Sequence, residues 1–162
     1  GKTSIKNHYI SREEAFLINR VAIIYKNLGY KEKSIQLLKE VLENYENSKI
    51  DEKYHSVTTL MIMANLSTYL EENGNPEEGE IICDKGIKLS LRCARGNMLA
   101  GFLSEKACCL EKIDIMNKNE ENKKARIKYL KQAFYISDLM KDHKFKDAIQ
   151  KYYYRNYKKD LT

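Results

Sequence analysis

Cysteine and histidine are the residues of this chain most able to bind a metal ion or act as a nucleophile. The cysteines are Cys83, Cys93, Cys108 and Cys109, and the histidines are His8, His55 and His143. No two cysteines have C-x-x-C spacing, and no histidine has acidic or cysteine partners at ligand spacing. Adjacent Cys108 and Cys109 would point about 100° apart on one helix, which disfavours a mutual disulfide. We therefore expect free thiols in a reducing, cytoplasmic compartment, and no metal or other cofactor.

No pattern in the chain indicates catalysis. There is no glycine-rich phosphate loop, no G-x-S-x-G motif and no pair of carboxylates on an apolar helix face. The acidic pairs Glu71-Glu72 and Glu77-Glu78 flank a loop, where charges at helix ends increase solubility. The sequence therefore predicts a protein that is not an enzyme.

Composition favours a helical domain. The chain has 162 residues with one proline and no tryptophan, and lysine, glutamate, leucine and isoleucine dominate it. No apolar run approaches the roughly 18 residues of a membrane span, and no signal peptide opens the chain, so we expect no membrane partner. Because the chain begins with Gly1, we interpret residues 1–10 as a linker or the remnant of a preceding segment.

One pattern of residue sizes occurs twice, 45 positions apart. The first copy consists of Ile18, Val21, Ala22, Tyr25, Gly29, Ser34, Leu38 and Val41. The second copy consists of Met63, Leu66, Ser67, Leu70, Gly74, Gly79, Cys83 and Gly86. The pattern predicts two antiparallel helices that approach closely at the small residues and turn at the first glycine. It also predicts that Gly79 and Gly86 lie where helices touch, and that Cys83 is a core residue.

A third, degenerate copy follows. Its first helix carries Leu103, Lys106, Ala107 and Leu110, and its second carries Arg126, Leu130 and Ala133. The second helix comes about seven residues late, which is close to two helical turns, so neither apolar face is rotated. An internal repeat of this kind favours an α-solenoid over a closed globule.

These copies resemble the tetratricopeptide repeat (TPR), a helix–turn–helix unit of about 34 residues. The resemblance covers roughly residues 11–140, in units 11–47, 51–93 and 97–140, although Ile18 and Met63 replace the tryptophan often found early in the unit. It implies an all-α solenoid of about three antiparallel helix pairs. Residues 141–162 are predicted to form a capping helix and basic tail, in which Phe145, Ile149, Tyr152 and Tyr153 follow an amphipathic spacing.

The repeats are longer than usual, with the excess between Tyr45 and Val57. Long, irregular repeats of this sort are similar to the sensory half of Gram-positive, XRE-like, peptide-responsive transcriptional regulators, which carry an N-terminal DNA-binding helix-turn-helix. The Gly86-Ile87-Lys88-Leu89 and Lys106-Ala107 neighbourhoods and the chain ending add to the resemblance. It implies a homodimer that contacts DNA only through a domain absent from this chain. The tail residues Phe145, Ile149, Tyr152 and Tyr153 are then candidates for dimerisation or for capping.

In TPR domains generally, the first helix of each pair lines a concave groove for a peptide. The resemblance therefore implies a groove beside the small-residue contacts, lined by Asn19, Ile23, Lys26, Asn27, Asn65, Thr68, Glu72, Cys108 and Lys112, with Ala64, Ser104 and Glu111 nearby. An asparagine amide both donates to and accepts from a peptide backbone. We expect Asn19 to support no core packing. The alternative, that any one of these is an ordinary solvated or interhelix polar residue, stays open.

Helix boundaries follow from capping patterns. Ser11 and Glu14 form a capping box, and Asn75-Pro76 begins a later helix with acidic residues in its first turn. The stretch Asn119-Glu120-Glu121 is predicted to begin another. About seven helices and no strand are expected.

Two functions remain open at this point. The first is the peptide-sensing and dimerisation domain of a transcriptional regulator. The alternative is a stand-alone TPR adaptor or scaffold that holds a partner's C-terminal tail, but its carboxylate clamp is broken because Asn19 and Ile23 occupy the positions of the clamp pair. The net charge of +6 is concentrated in the tail, where tyrosines interleave with lysines, yet a solvated basic face explains it better than nucleic-acid binding.

Overall fold

The computed structural model describes residues 9–48 and 52–158. Its helices are α1 (Arg12–Asn27), α2 (Lys31–Glu46), α3 (Glu52–Glu72), α4 (Pro76–Arg92), α5 (Gly96–Asn117), α6 (Lys123–Leu139) and α7 (His143–Tyr157). Within these residues there are seven helices and no strand, as the sequence predicts. None of the described helices is both long and apolar enough to cross a membrane.

Local capping explains why the first helices begin where they do. The Ser11 hydroxyl accepts a hydrogen bond from the Glu14 backbone N–H at 3.1 Å, and the Ser11 N–H donates to the Glu14 carboxylate at 2.8 Å. The predicted capping box is therefore confirmed. Pro76 is the first residue of α4, as predicted, although the Asn75 side chain makes no capping hydrogen bond.

The predicted helix start at Asn119 is wrong. Helix α5 runs to Asn117, and α6 begins only at Lys123. The reason is the buried Asp114, whose carboxylate accepts hydrogen bonds from the backbone N–H and the side-chain amide of Asn122, at 3.2 and 2.8 Å. These hydrogen bonds keep the chain between α5 and α6 out of a helix, so α6 starts about one turn later than predicted.

Successive helices pack against one another along the chain, and α3 also contacts α1 and α5. This arrangement is the predicted α-solenoid of helix pairs. Its contacts use small residues: the Ser34 hydroxyl donates to the Ala22 carbonyl at 2.8 Å, and a Cβ at Gly79 would lie 3.1 Å from the Ser67 carbonyl oxygen. A Cβ at Gly86 would lie only 2.5 Å from the Phe102 ring, so both glycines lie where helices touch, as predicted.

The turns within the first two pairs depend on glycine. Gly29 and Gly74 have φ angles of +86° and +83°, in the left-handed region that side chains other than glycine rarely adopt. These two residues occupy equivalent positions of the two copies. The two copies of the sequence pattern therefore share a turn geometry as well as their packing.

The core consists of two clusters. The larger one lies among α1 to α5 and contains Cys83, fully buried as predicted. The smaller one is formed by Leu103, Ala107, Leu130, Ala133, Ile149 and Tyr153, so α7 covers the end of the third pair.

We expect Gly86→Ala to destabilise the fold, because its methyl group would meet a Phe102 ring that is itself almost fully buried. Overpacking of this kind costs about 1–3 kcal/mol of unfolding free energy. Gly101→Ala is the matched control, since Gly101 also lies in a helix but nothing is within 4 Å of its added Cβ. That substitution should stabilise by about 0.5–1 kcal/mol. Urea unfolding followed by circular dichroism measures both, and equal effects would contradict the assigned helix contacts.

Candidate ligand groove

The first helices of the three pairs lie side by side, with α3 between α1 and α5. We use the name groove face for the side of these helices that carries Asn19, Lys26, Asn65, Thr68 and Glu105. All nine predicted peptide-binding residues are on these three helices. Their role in binding remains a prediction, and their positions are as follows.

Two asparagines join α1 to α3 at the centre of the groove face. The Asn65 amide nitrogen donates to the Asn19 carbonyl oxygen at 2.8 Å. Asn19 is only 2% exposed, so the expectation that it supports no packing is wrong. The cause is the close approach of α1 to the core at Ala15 and Ala22, which places Asn19 within the interface.

About two helical turns beyond the asparagine pair, an ion pair joins α1 to α3 across the groove face. The Lys26 ammonium group lies 3.1 Å from the Glu72 carboxylate and 5.5 Å from the centre of the Tyr69 ring. Ile23 is half-buried, and Asn27, the last residue of α1, is exposed.

Between α3 and α5 the groove face is acidic. The Thr68 hydroxyl shares its one proton between the Ala64 carbonyl oxygen, 3.1 Å away, and the Glu105 carboxylate. Burial raises the pKa of Glu105 to about 7, and the neighbouring carboxylates Glu71 and Glu72 add to this effect while the hydrogen bond from Thr68 opposes it.

Cys108 and Lys112 are half-buried on α5, one turn apart. Burial, followed by the charge of Glu105, raises the pKa of the Cys108 thiol to about 12. A thiol in this environment stays protonated near neutral pH and is a poor nucleophile.

An apolar cavity extends the groove face by one turn towards the start of α1 and α3. It has a volume of about 540 Å³ and is lined by Arg12, Glu13, Phe16, Leu17, Val57, Thr58 and Met61. Phe16 and Met61 lie one helical turn before Asn19 and Asn65, so the cavity adjoins the amide pair.

The four tail candidates lie on α7 and contact the third pair. Ile149 and Tyr153 are buried in the smaller core cluster, and Phe145 and Tyr152 pack against it. The Tyr152 hydroxyl donates to the Glu111 carboxylate on α5. These contacts place the stripe of α7 on its own chain, which is the capping alternative.

Sequence reasoning missed Glu105 and the cavity. Glu105 lies one turn before Cys108 and on the same side of α5, so helical spacing alone could have added it. The cavity depends on the distance between α1 and α3 and on large side chains facing outward, which no local pattern reports.

Among the described residues, no group of three or more histidine, cysteine or acidic side chains could hold a metal ion, and the four cysteines are free thiols. The expected absence of a metal site concerns the whole chain and remains a prediction.

The fold and groove face together define a helical-repeat domain with a long polar face. A comparison with protein-family models matches residues 2–158 to the RNPP family C-terminal domain. Because the match covers nearly the whole chain, this chain belongs to the RNPP family. The domain is a regulatory, peptide-binding one and is not from a known catalytic family. The resemblance to the sensory half of Gram-positive regulators is thereby confirmed. No curated protein and no solved structure matches the chain.

Glu105 should make stability depend on pH. Its pKa is raised from 4.5 to about 7 on folding, so the stability it contributes is full below pH 4.5 and is lost as pH rises through 7. We expect Glu105→Gln to raise the melting temperature by about 2–4 °C at mildly alkaline pH and to change it little in acid. Glu121→Gln, an exposed loop substitution, is the control. A melting curve by circular dichroism at several pH values tests this, and an equal rise at every pH would contradict it.

Proposed function

We propose that this domain senses a short peptide in the groove between α1 and α3, as the C-terminal part of a cytoplasmic transcriptional regulator. The observation that carries the proposal is the Asn19–Asn65 pair next to an apolar cavity, on the helices of a peptide-binding family.

The amide pair suits a peptide backbone. Only one donor of Asn65 and the carbonyl of Asn19 are used in their mutual hydrogen bond. The buried Asn19 fixes the orientation of Asn65, which is only half-buried and whose carbonyl oxygen and second amide hydrogen are not used in this bond. Asn65 thus offers one donor and one acceptor side by side, which is what a peptide unit requires.

The adjoining cavity suits an apolar side chain. Its volume falls within the range of about 300–1,000 Å³ that is typical of small-ligand sites. Phe16 and Val57 are large apolar residues of its lining that remain exposed in this structure. A ligand side chain that covers them removes apolar surface from water, which stabilises binding by roughly 25 cal/mol per Å².

The charged end of the groove favours a particular orientation. The Lys26 ammonium group already pairs with the exposed Glu72 carboxylate. A peptide carboxylate competes with Glu72 for this cation, so a C-terminal carboxylate placed here would leave the rest of the peptide pointing towards the amide pair and the cavity. The attraction is screened by salt.

Regulation requires an output, and we propose a DNA-binding domain in a longer polypeptide. The chain itself contains seven described helices that all belong to the solenoid, and its C-terminal helix is used for capping. Peptide binding would then act through the orientation of the tethered domain, most simply in a homodimer on a two-fold-symmetric DNA site.

Peptide binding is expected to depend on Asn65 and Phe16. Asn65→Ala removes a hydrogen-bonding partner and should weaken affinity several-fold to about tenfold, since a hydrogen bond is worth about 0.5–1.5 kcal/mol. Phe16→Ser should weaken only peptides with a bulky apolar side chain and should leave folding intact, because Phe16 is exposed. Isothermal titration against short peptides, including those encoded beside the gene, measures both.

The matched controls for these variants are Asn156→Ala and Leu139→Ser, which alter exposed residues on α7 and α6, away from the groove. They should bind as the unaltered domain does. If no short peptide binds, or if the groove variants bind as well as the controls, peptide sensing in this groove is wrong.

The regulator proposal also predicts what the gene encodes upstream of this domain. The coding sequence upstream of Gly1 should encode a helix-turn-helix in the same reading frame. Reading that sequence tests the proposal directly, and a start codon immediately before Gly1 would favour the adaptor alternative.

A further inference from the structure

Another cavity lies where the end of α2, the middle of α3 and the second half of α4 meet, and none of its lining residues belongs to the groove face. Its volume is about 420 Å³. Its lining includes Tyr45 of α2, Met63 of α3, and Lys85, Lys88, Leu89 and Arg92 of α4. We call this cavity the basic pocket.

Three cations line the basic pocket from one face of α4. Lys85, Lys88 and Arg92 are three and four positions apart, so at about 100° per residue they fall within roughly 60° of arc. Lys88 is exposed and has no ion-pair partner among the described residues. Lys85 lies 2.7 Å from the carboxylate of Glu46, which also lines the pocket, and both side chains are about half exposed. An exposed pair of this kind contributes little stability, so another anion can open it.

The floor of the basic pocket is apolar and fixed in place. Met63 and Leu89 are buried residues of the larger core cluster. Tyr45 is also buried, and its ring stacks on the His55 ring with 4.1 Å between the ring centres. A ligand therefore meets a preformed apolar surface at the bottom of the pocket and cations at its rim, a combination typical of small-ligand sites.

We propose that the basic pocket binds a small organic phosphate, with the phosphoryl group held by Lys88 and Arg92 and the organic part on the apolar floor. The lining carries a net charge of +2, because three cations are set against the single carboxylate of Glu46. A phosphate monoester carries about −1.5 to −2 charge at pH 7, which matches this net charge, whereas a carboxylate neutralises only one cation. Arginine offers phosphate a planar fork of donors, and lysine adds a point charge.

The basic pocket suits a free small molecule better than a nucleic acid or an acidic protein. Its volume falls within the range of about 300–1,000 Å³ found for small-ligand sites. An extended polyanion is attracted by the whole surface of a chain with a net charge of +6, and one concave site gives it no advantage over other basic surfaces.

Isothermal titration of the whole chain with phenyl phosphate, without any peptide present, tests the proposal. We expect saturable binding at a single site. Benzoate has the same ring with a single charge, and inorganic phosphate lacks the ring, so each should bind several-fold more weakly. The absence of saturable binding by phenyl phosphate overturns the proposal, and so does equally tight binding of benzoate. Because no peptide is present, the outcome is independent of peptide sensing in the groove.

A matched pair of lysine variants locates the binding. Lys88→Gln removes one exposed charge from the pocket and should weaken phenyl phosphate binding roughly five- to tenfold. Lys144→Gln makes the same change in net charge at an exposed position of α7 and should leave the affinity unchanged. Equal weakening by the two variants indicates a general attraction to a basic chain and overturns the pocket as the site.

A matched pair of glutamate variants tests the same site with the opposite sign. Glu46→Gln frees Lys85 from its ion pair and should tighten phenyl phosphate binding several-fold. Glu121→Gln, in the connection between α5 and α6, removes an exposed carboxylate away from the pocket and should have no effect. Both variants should keep the melting curve of the unaltered chain by circular dichroism, since each alters an exposed side chain. An unchanged or weaker affinity in Glu46→Gln contradicts the proposed site.

Discussion

The close approach of helix backbones at small residues is the constraint on which the structure depends. The Ser34 side chain reaches the Ala22 carbonyl, and the Gly79 and Gly86 backbones leave no free space for a side chain. Because the paired helices are this close, α1, α3 and α5 also lie close enough for Asn19 to meet Asn65 and for Lys26 to meet Glu72. The groove face is thus a consequence of packing on the other side of the same helices.

In the third helix pair, charged residues replace some of the apolar and small residues at the helix contacts, and this explains why its sequence pattern is degenerate. Lys106 stands where the second copy has Leu66, and it is buried against Asp84 and Glu80 at 2.6 and 3.3 Å. Arg126 stands at the position of Gly79 and lies 3.3 Å from Asp114. In the Arg126–Asp114 pair both partners are buried, and removing one partner of such a pair costs about 3–5 kcal/mol. These charges therefore lock the register of α4, α5 and α6 where small residues no longer do.

The sequence predicts the parts of this structure that follow from local rules. The capping box at Ser11, the left-handed turns at Gly29 and Gly74, and the contacts of Gly79 and Gly86 each follow from residue type and spacing. The start of α6 could not be predicted, because it depends on a side chain of another helix, Asp114. The burial of Asn19 and the raised pKa of Glu105 also depend on how closely α1, α3 and α5 approach, which periodicity does not report.

Helix α1 belongs to both the core and the proposed groove. Ala15 and Ala22 are buried in the core, Phe16 and Leu17 line the cavity, and Lys26 pairs with Glu72 of α3. A helix moves as a rigid element, so a ligand that shifts α1 relative to α3 also changes the contacts of α1 with the core. Binding free energies are coupled reciprocally, so a tethered domain whose docking depends on the position of α1 changes peptide affinity by the same factor by which the peptide changes that docking. Since the groove and the core share one helix, no longer pathway is needed to connect the ligand to the packing of the solenoid.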